Sequence, residues 1–236
     1  MGTQRVAEYV EKNFGAKSVI LESETGNSEK KIERLLAQLV PQNWQYPILI
    51  GTSLLTSPIP TYPLDVLIVL NADLGLNIPD YTAASKNFHL LYDLFTKHST
   101  THYVVQTFDP EQYSIRSACK LSEPEFTEQD LEFRKAYNYP PFTDLCVIMY
   151  KNEIEEKVFA KVDKLHKELL YLKEKYQMPG LEIYTTPPLI YKMFGKFRYN
   201  IILKGPDLRN FMDIVFSKLN LTGKQFKVDW QAETIV

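Results

Sequence analysis

Tyr184-Thr-Thr-Pro-Pro-Leu-Ile-Tyr-Lys192-Met-Phe-Gly195-Lys196-Phe-Arg198-Tyr199-Asn-Ile-Ile-Leu-Lys204 is the stretch on which the fold turns. Alternating apolar residues over 197–203 predict a strand. Gly195 and the Pro187-Pro188 pair mark turns on its approach. No acidic residue interrupts the stretch, and Lys192, Lys196, Arg198 and Lys204 lie among Tyr184, Tyr191, Phe194, Phe197 and Tyr199. Cations attract phosphates and flat rings stack on bases, so the hairpin suits a nucleic-acid strand. The same pattern also fits a core strand, with Phe197, Tyr199, Ile201 and Leu203 inward and the cations solvated. The residues alone favour that second reading.

On either side of this stretch the order of elements is legible. Residues 145–150 read as a strand. Residues 154–176 read as a long helix, with Val158, Val162, Leu165, Leu169 and Leu172 on one face. Residues 181–184 and 197–203 are strands. Residues 208–219 form a helix with Phe211, Met212, Val215, Phe216 and Leu219 inward, and 225–230 is a last strand. This β-α-β-β-α-β order is the split βαβ arrangement of a ferredoxin-like α+β domain.

The first half reads differently. Val6, Val10 and Phe14 make a short amphipathic helix stopped at Gly15. Strands are expected at 18–21, 48–50, 66–70 and 103–108. Helices are expected over 81–96 and 110–121, with another bearing Ile32, Leu35, Leu36 and Leu39 after a Ser28 cap. A proline-rich loop covers 57–63. Strands alternating with helices predict an α/β unit with one parallel sheet covered on both faces. Residues 124–136 form an acidic helix stopped by Asn138-Tyr-Pro-Pro141, which reads as a connector. The expected domains are therefore 1–122, a connector 123–140, and 141–236.

The chain has 236 residues and a net charge of −2, so no global field draws it to nucleic acid. Residues 1–140 hold 12 Lys and Arg against 17 Asp and Glu, whereas 141–236 hold 15 against 12. An anionic partner should meet the second half. Cys119 and Cys146 lie far apart in sequence, which excludes a cysteine-rich zinc site and fits a reducing cytoplasm. No apolar run is long enough to span a bilayer, so no membrane partner is expected. His89 with Asp93 and His98 with His102 are each spaced by four. Two ligands do not make a metal site, so these pairs read as exposed polar surface and no metal is expected. No G-x-x-x-x-G-K-[ST], G-x-G-x-x-G or G-x-S-x-G occurs. Gly51-Thr52 at a strand end could present N–H groups to a phosphate, and Asp73 follows an apolar strand where ligand carboxylates sit in parallel sheets. Each is also an ordinary turn former.

Several segments together resemble the C-terminal third of the PriA family, the primosomal replication-restart helicases of superfamily two. Gly2-Thr-Gln-Arg-Val6, Ile48-Leu-Ile-Gly-Thr52 and Leu70-Asn-Ala-Asp73 are similar to that family's G-T-E-R-V, I-L-I-G-T and L-D-A-D. Gly75-Leu-Asn-Ile-Pro-Asp80 and Val105-Gln-Thr-Phe-Asp-Pro-Glu111 also match. Leu131-Glu-Phe-Arg-Lys-Ala136 with Tyr139-Pro-Pro-Phe142 is the most specific block. Gly195-Lys-Phe-Arg-Tyr199 resembles its G-R-Y-R, and Lys227-Val-Asp229 its closing strand. The resemblance implies a RecA-like second helicase lobe followed by the family's ferredoxin-like C-terminal domain.

The departures fall on the helicase chemistry. Ser53 and Ser57-Pro58 stand where motif V has Gln and Lys-Gly. In motif VI Asp93 stands for the glutamine, with Lys97 and Thr100 for the arginines. Lysine cannot copy the fork of an arginine finger. The first lobe with its ATP loop, and the zinc-binding insert, have no counterpart. Gly51, Thr52, Asp73 and Lys97 thus read as vestiges of the nucleotide site. The chain alone is expected not to hydrolyse ATP and to need no cofactor. The resemblance implies binding of single-stranded or forked DNA, with Lys192, Lys196 and Arg198 on phosphates, Tyr191 or Tyr199 offering a stacking face, and Lys204 and Arg209 extending the basic edge. It also implies contact with the acidic tail of single-strand DNA-binding protein and with primosome proteins. Two other readings stay open: one half of a split helicase completed by a separate ATP-binding lobe, or an adaptor that has lost DNA.

Overall fold

The computed structural model describes residues 2–21, 48–52, 64–98 and 100–236. Two units emerge, Met1–Ala72 with Phe88–Ser122, and Asp73–Asn87 with Glu123–Val236.

In the first unit α1 spans Thr3–Phe14 and ends where Gly15 takes φ 65 and bonds back to the Glu11 carbonyl. A left-handed residue there is what glycine supplies without a Cβ penalty. Phe14 is 72% exposed rather than inward, near the ring of Tyr9. Residues four apart drift by about 40° per step on a helix, so Phe14 has rotated off the face Val6 defines.

β1 (Ser18–Leu21) pairs in parallel with β2 (Ile48–Gly51), and β3 (Leu64–Val69) in parallel with β4 (Thr100–Val105). α2 (Ala83–Lys97) lies between β3 and β4 in the chain, as a parallel pair requires. Among the described residues these are two separate two-stranded sheets, not the single parallel sheet expected. Hydrophobic runs identify the strands, but nothing in them specifies which edges meet. β4 begins three residues earlier than expected. Gln106 makes the last rung with Val69 and Ala72, and Phe108 lies beyond it, 91% exposed. α3 (Tyr113–Cys119) follows, its first turn capped by the Gln112 side chain. His98 is buried at the end of α2, against the expectation of polar surface. The expected helix around Ile32–Leu39 and the loop 57–63 lie outside the described residues.

The second unit begins its main run with α4 (Glu123–Ala136). Its end is set by Asn138 at φ 52, with Tyr139 N–H bonding back to the Arg134 carbonyl at 2.8 Å. That six-to-one bond closes the helix before the prolines are reached. β5 (Asp144–Asn152), α5 (Glu155–Lys175), β6 (Glu182–Thr186), β7 (Lys192–Met193), β8 (Lys196–Gly205), α6 (Leu208–Lys218) and β9 (Phe226–Trp230) complete it. The sheet order is β6-β8-β5-β9, every neighbour antiparallel, with β7 hairpinned onto β8. β5 and β6 therefore run parallel to each other with β8 between them.

Both helices cover one face. Val158, Val162, Leu165, Leu169 and Leu172 of α5 and Leu208, Phe211, Met212 and Val215 of α6 pack with Cys146, Ile148, Ile201 and Leu203. Phe216 is 54% exposed instead of inward. At 100° per residue it lies about a quarter turn from the centre of the α6 stripe, on its flank. On the opposite face Leu145, Val147 and Ile202 meet Tyr81, Tyr139, Ala232 and Ile235. The last residues are held there by bonds from Tyr81 Oη to the Ala232 carbonyl (2.8 Å) and from Asn200 Nδ2 to the Ile235 carbonyl (3.1 Å).

β8 ends at Gly205, φ 144, where an added Cβ would lie 2.5 Å from the Gly180 carbonyl oxygen. That oxygen and the Leu181 Cα, 2.9 Å from the added atom, both belong to backbone, so neither can yield cheaply. Gly205→Ala is expected to lower the unfolding free energy by about 3 kcal/mol, read as a drop in the urea midpoint followed by circular dichroism.

Candidate nucleic-acid interface

The alternation of β8 decides where its cations go. Phe197, Tyr199, Ile201 and Leu203 belong to the helix side, so Lys196, Arg198, Asn200, Ile202 and Lys204 belong to the other. By the same period Lys151 of β5 and Lys227 of β9 share that second side, since Tyr150, Phe226 and Val228 pack toward the helices. Lys151 stands directly opposite Arg198 across the β5–β8 ladder, and Lys227 stands opposite Met149. Lys196, Arg198, Lys151 and Lys227 thus form a basic row at one end of the open face. Two acids thin it: Asp229 Oδ2 is 2.8 Å from Lys227 Nζ, and Glu153 Oε1 is 4.0 Å from Lys196 Nζ.

The other residues singled out in the sequence fall elsewhere. Lys192 pairs with Phe197 and its ammonium sits 4.3 Å from that ring's centroid, on the helix side. Lys204 is buried. Its ammonium donates to the Tyr137 carbonyl at 2.7 Å, lies 3.2 Å from Glu182 Oε2, and sits 4.3 Å from the Tyr139 centroid. A head so occupied is not a free phosphate contact, and Lys204 leaves the accessible edge. Arg209 lies over Trp230 at 5.9 Å.

The tyrosines expected to stack on bases are already engaged. Tyr199 meets Phe159 at 5.6 Å and Tyr191 at 6.4 Å, both edge-on. Tyr191 donates its hydroxyl to Glu155 Oε1 at 2.8 Å and meets Phe197 at 5.7 Å. Desolvation first, then the hydrogen bond and charge of Glu155, push the Tyr191 phenol up to about 12. Burial likewise raises Tyr184.

Arg198 has two positions to hold. Its backbone N–H bonds to the Tyr191 carbonyl at 2.9 Å, and its guanidinium donates to the Ile190 carbonyl. The approach to the hairpin is therefore tied down at consecutive carbonyls. β7 and β8 close over two residues, Phe194 at φ 50 and Gly195 at φ 76. Positive φ at both turn positions matches the twist of a tight hairpin. Phe194 is 93% exposed at that tip.

Gly51, Thr52, Asp73 and Lys97 lie at the ends of different elements: the last residue of β2 and its successor, the loop after β3, and the last residue of α2. Desolvation lowers the Lys97 pKa, partly countered by Asp93. Among the described residues no group of three or more His, Cys, Asp or Glu could hold a metal. No described helix is long and apolar enough to cross a membrane.

Lys151 and Lys227 were missed in the sequence because face sharing depends on the register of strands far apart in the chain. Phe194 carried a signal, a bulky apolar residue before Gly195 in a turn between cations, but the period of β8 does not reach it.

A mixed α/β chain with parallel strand pairs in one unit and a two-layer α+β arrangement in the other, carrying a basic sheet edge, is the class this structure defines. No family model matches it. Curated relatives do match, and they are replication restart proteins PriA. The chain is 28% identical over 177 residues to that of Borreliella burgdorferi, covering 73% of this chain and 26% of the relative. It is 26% identical over 234 residues to that of Chlamydia muridarum, covering 94% and 30%. It is 24% identical over 226 residues to that of Thermotoga maritima, covering 94% and 29%. The likeness to PriA read from motifs is thus shown along most of the chain. The chain spans under a third of the length of these relatives, consistent with a C-terminal portion of PriA.

If Lys204 is structural, Lys204→Met removes the donor to the Tyr137 carbonyl and the partner of Glu182. Stability is expected to fall by about 2 kcal/mol in urea unfolding. Affinity for forked DNA in fluorescence anisotropy should change by less than about twofold, because a buried cation neutralises no phosphate.

Proposed function

We propose that this chain is a DNA-gripping module of the PriA type, acting in replication restart without ATPase activity of its own. In this reading Glu123–Val236 is the ferredoxin-like C-terminal domain, and Met1–Ala72 with Phe88–Ser122 corresponds to a degenerate RecA-like second helicase lobe. The observation that carries the DNA assignment is the basic row of Lys151, Lys196, Arg198 and Lys227 on the sheet face not covered by helices. Sequence similarity to proteins named for replication restart supports the setting.

The physical work assigned to the row is phosphate binding. Strand spacing of about 5 Å sets adjacent cations at distances a sugar–phosphate backbone can follow. Arg198 also fixes the hairpin, so its charge stands on a rigid base. Asp229 and Glu153 favour moderate affinity, released as salt rises. Motif VI holds Lys97 and Thr100 where arginines are needed, so transferred phosphoryl charge would go unstabilised.

A second reading, an adaptor binding the acidic tail of single-strand DNA-binding protein, uses the same cations. The acidic balance of residues 1–140 fits a chain that has lost DNA binding.

Binding of a labelled fork, followed by anisotropy across salt concentrations, tests the proposal. Four phosphate contacts predict a slope of log K against log salt of about −3, and Lys151→Ala or Lys227→Ala each reduce it by about 0.7–0.9. A flat titration at low salt removes the DNA reading. ATP turnover by the chain, with or without the fork, is expected to stay at background.

A further inference from the structure

We infer that the β7–β8 turn is a stacking wedge: Phe194 caps the last base pair where a duplex opens into single strands. The inference rests on the DNA reading above and goes further by naming the nucleic-acid feature recognised.

Phe194 is 93% exposed, and Leu189, Ile190 and Met193 beside it are 63%, 55% and 36% exposed. Leaving an aromatic ring in water forgoes the free energy of burying it, so an apolar knuckle of this kind marks a contact surface. The knuckle is braced. Arg198 holds the carbonyls of Tyr191 and Ile190, Tyr191 is bonded to Glu155 at the start of α5, and Tyr191 packs against Phe197. A wedge must be stiff, since a floppy tip would fold back rather than hold two strands apart.

The number of available rings points to a junction rather than a single-strand track. Proteins that follow a single strand stack successive bases on several rings along a groove. Here Phe197, Tyr191 and Tyr199 are committed to one another and to Lys192 or Glu155. Among the described rings of this hairpin Phe194 is the one left to offer a face, and the end of a duplex presents one face to receive it. Lys192 and Lys196 flank Phe194 at two residues on either side. They lie on opposite sides of the sheet, Lys192 over Phe197 and Lys196 4.0 Å from Glu153, and from there each can meet a phosphate of one of two diverging strands.

The test replaces Phe194 with Asn. Asn accepts the positive φ of this turn readily and precedes Gly195, so the hairpin is kept while the ring is lost. The probes are a fork carrying 2-aminopurine at its first unpaired position, where it stacks on the duplex end, and the same labelled strand alone. Wild-type protein is expected to raise the fork's fluorescence, because Phe194 takes that base's place on the last pair. Phe194→Asn is expected to abolish most of the rise, to weaken fork binding about fivefold or more and to leave single-strand binding within about twofold. Phe194→Trp should keep the fluorescence rise. Equal losses on fork and single strand, or no loss on either, overturn the wedge while leaving DNA binding intact. Loss confined to DNA coated with single-strand DNA-binding protein overturns it in favour of a protein contact. Absence of all DNA binding by the wild type sinks the parent reading, and is distinguishable because it precedes any effect of the variant.

Discussion

The antiparallel ladder between β5 and β8, running from Asp144 opposite Gly205 to Asn152 opposite Phe197, is the constraint on which the second unit depends. It fixes which side chains meet the helices and which do not. A slip of one residue would send Ile201 and Leu203 outward and bring Arg198 and Asn200 onto α5. The buried cost of such a slip is large, because the helix-side positions of both strands are nearly all apolar. The basic row is thus a by-product of core packing. Lys151 and Arg198 become neighbours because Tyr150 and Tyr199 must both face inward.

The segment around the connector has an equally physical account. Arg134 is bonded to Asp130 at 2.6 Å and to the Pro140 carbonyl at 3.2 Å, and lies 5.2 Å from the Tyr81 centroid. Tyr81 in turn stacks on Tyr139 at 4.8 Å. Lys204 also lies over Tyr139, at 4.3 Å, and donates to the Tyr137 carbonyl. Two cations therefore serve as fasteners between the connector, the sheet and residues Asp73–Asn87. The block Leu131–Ala136 with Tyr139–Phe142, the most specific part of the resemblance to PriA, carries this architecture rather than a chemical step.

How much of this was legible in the sequence follows from the range of the interactions. Local periodicity made α5, α6, β5, β6, β8 and β9 readable, because apolar spacing reports directly which face is buried, whereas the two-residue β7 is too short to show a period. Val158 to Leu172 fell where the pattern put them. Phe14 and Phe216 did not, since each lies at the edge of a helical stripe where the angular drift matters. The parallel pairing of β3 with β4 follows from α2 lying between them in the chain, while the lateral arrangement of the strand pairs does not. In the basic stretch, the cations were visible but their sides were not. Lys204 looks like a solvated end of a strand until Glu182 and Tyr139 are known to lie beside it. Lys151 and Lys227 join Arg198 through registers set by residues distant in the chain.

Residues 232–236 lie over the sheet and accept hydrogen bonds from Tyr81, Thr82 and Asn200. A chain leaving the ribosome therefore exposes the apolar patch of Leu145, Val147 and Ile202 until these late residues emerge. Residues Asp73–Asn87, made long before, gain the hydrogen bonds of Tyr81 and Thr82 to this segment only at the same moment. The sheet is thus sealed by a segment made after all of its strands, and the vulnerable interval is the time between translation of β8 and translation of residues 232–236.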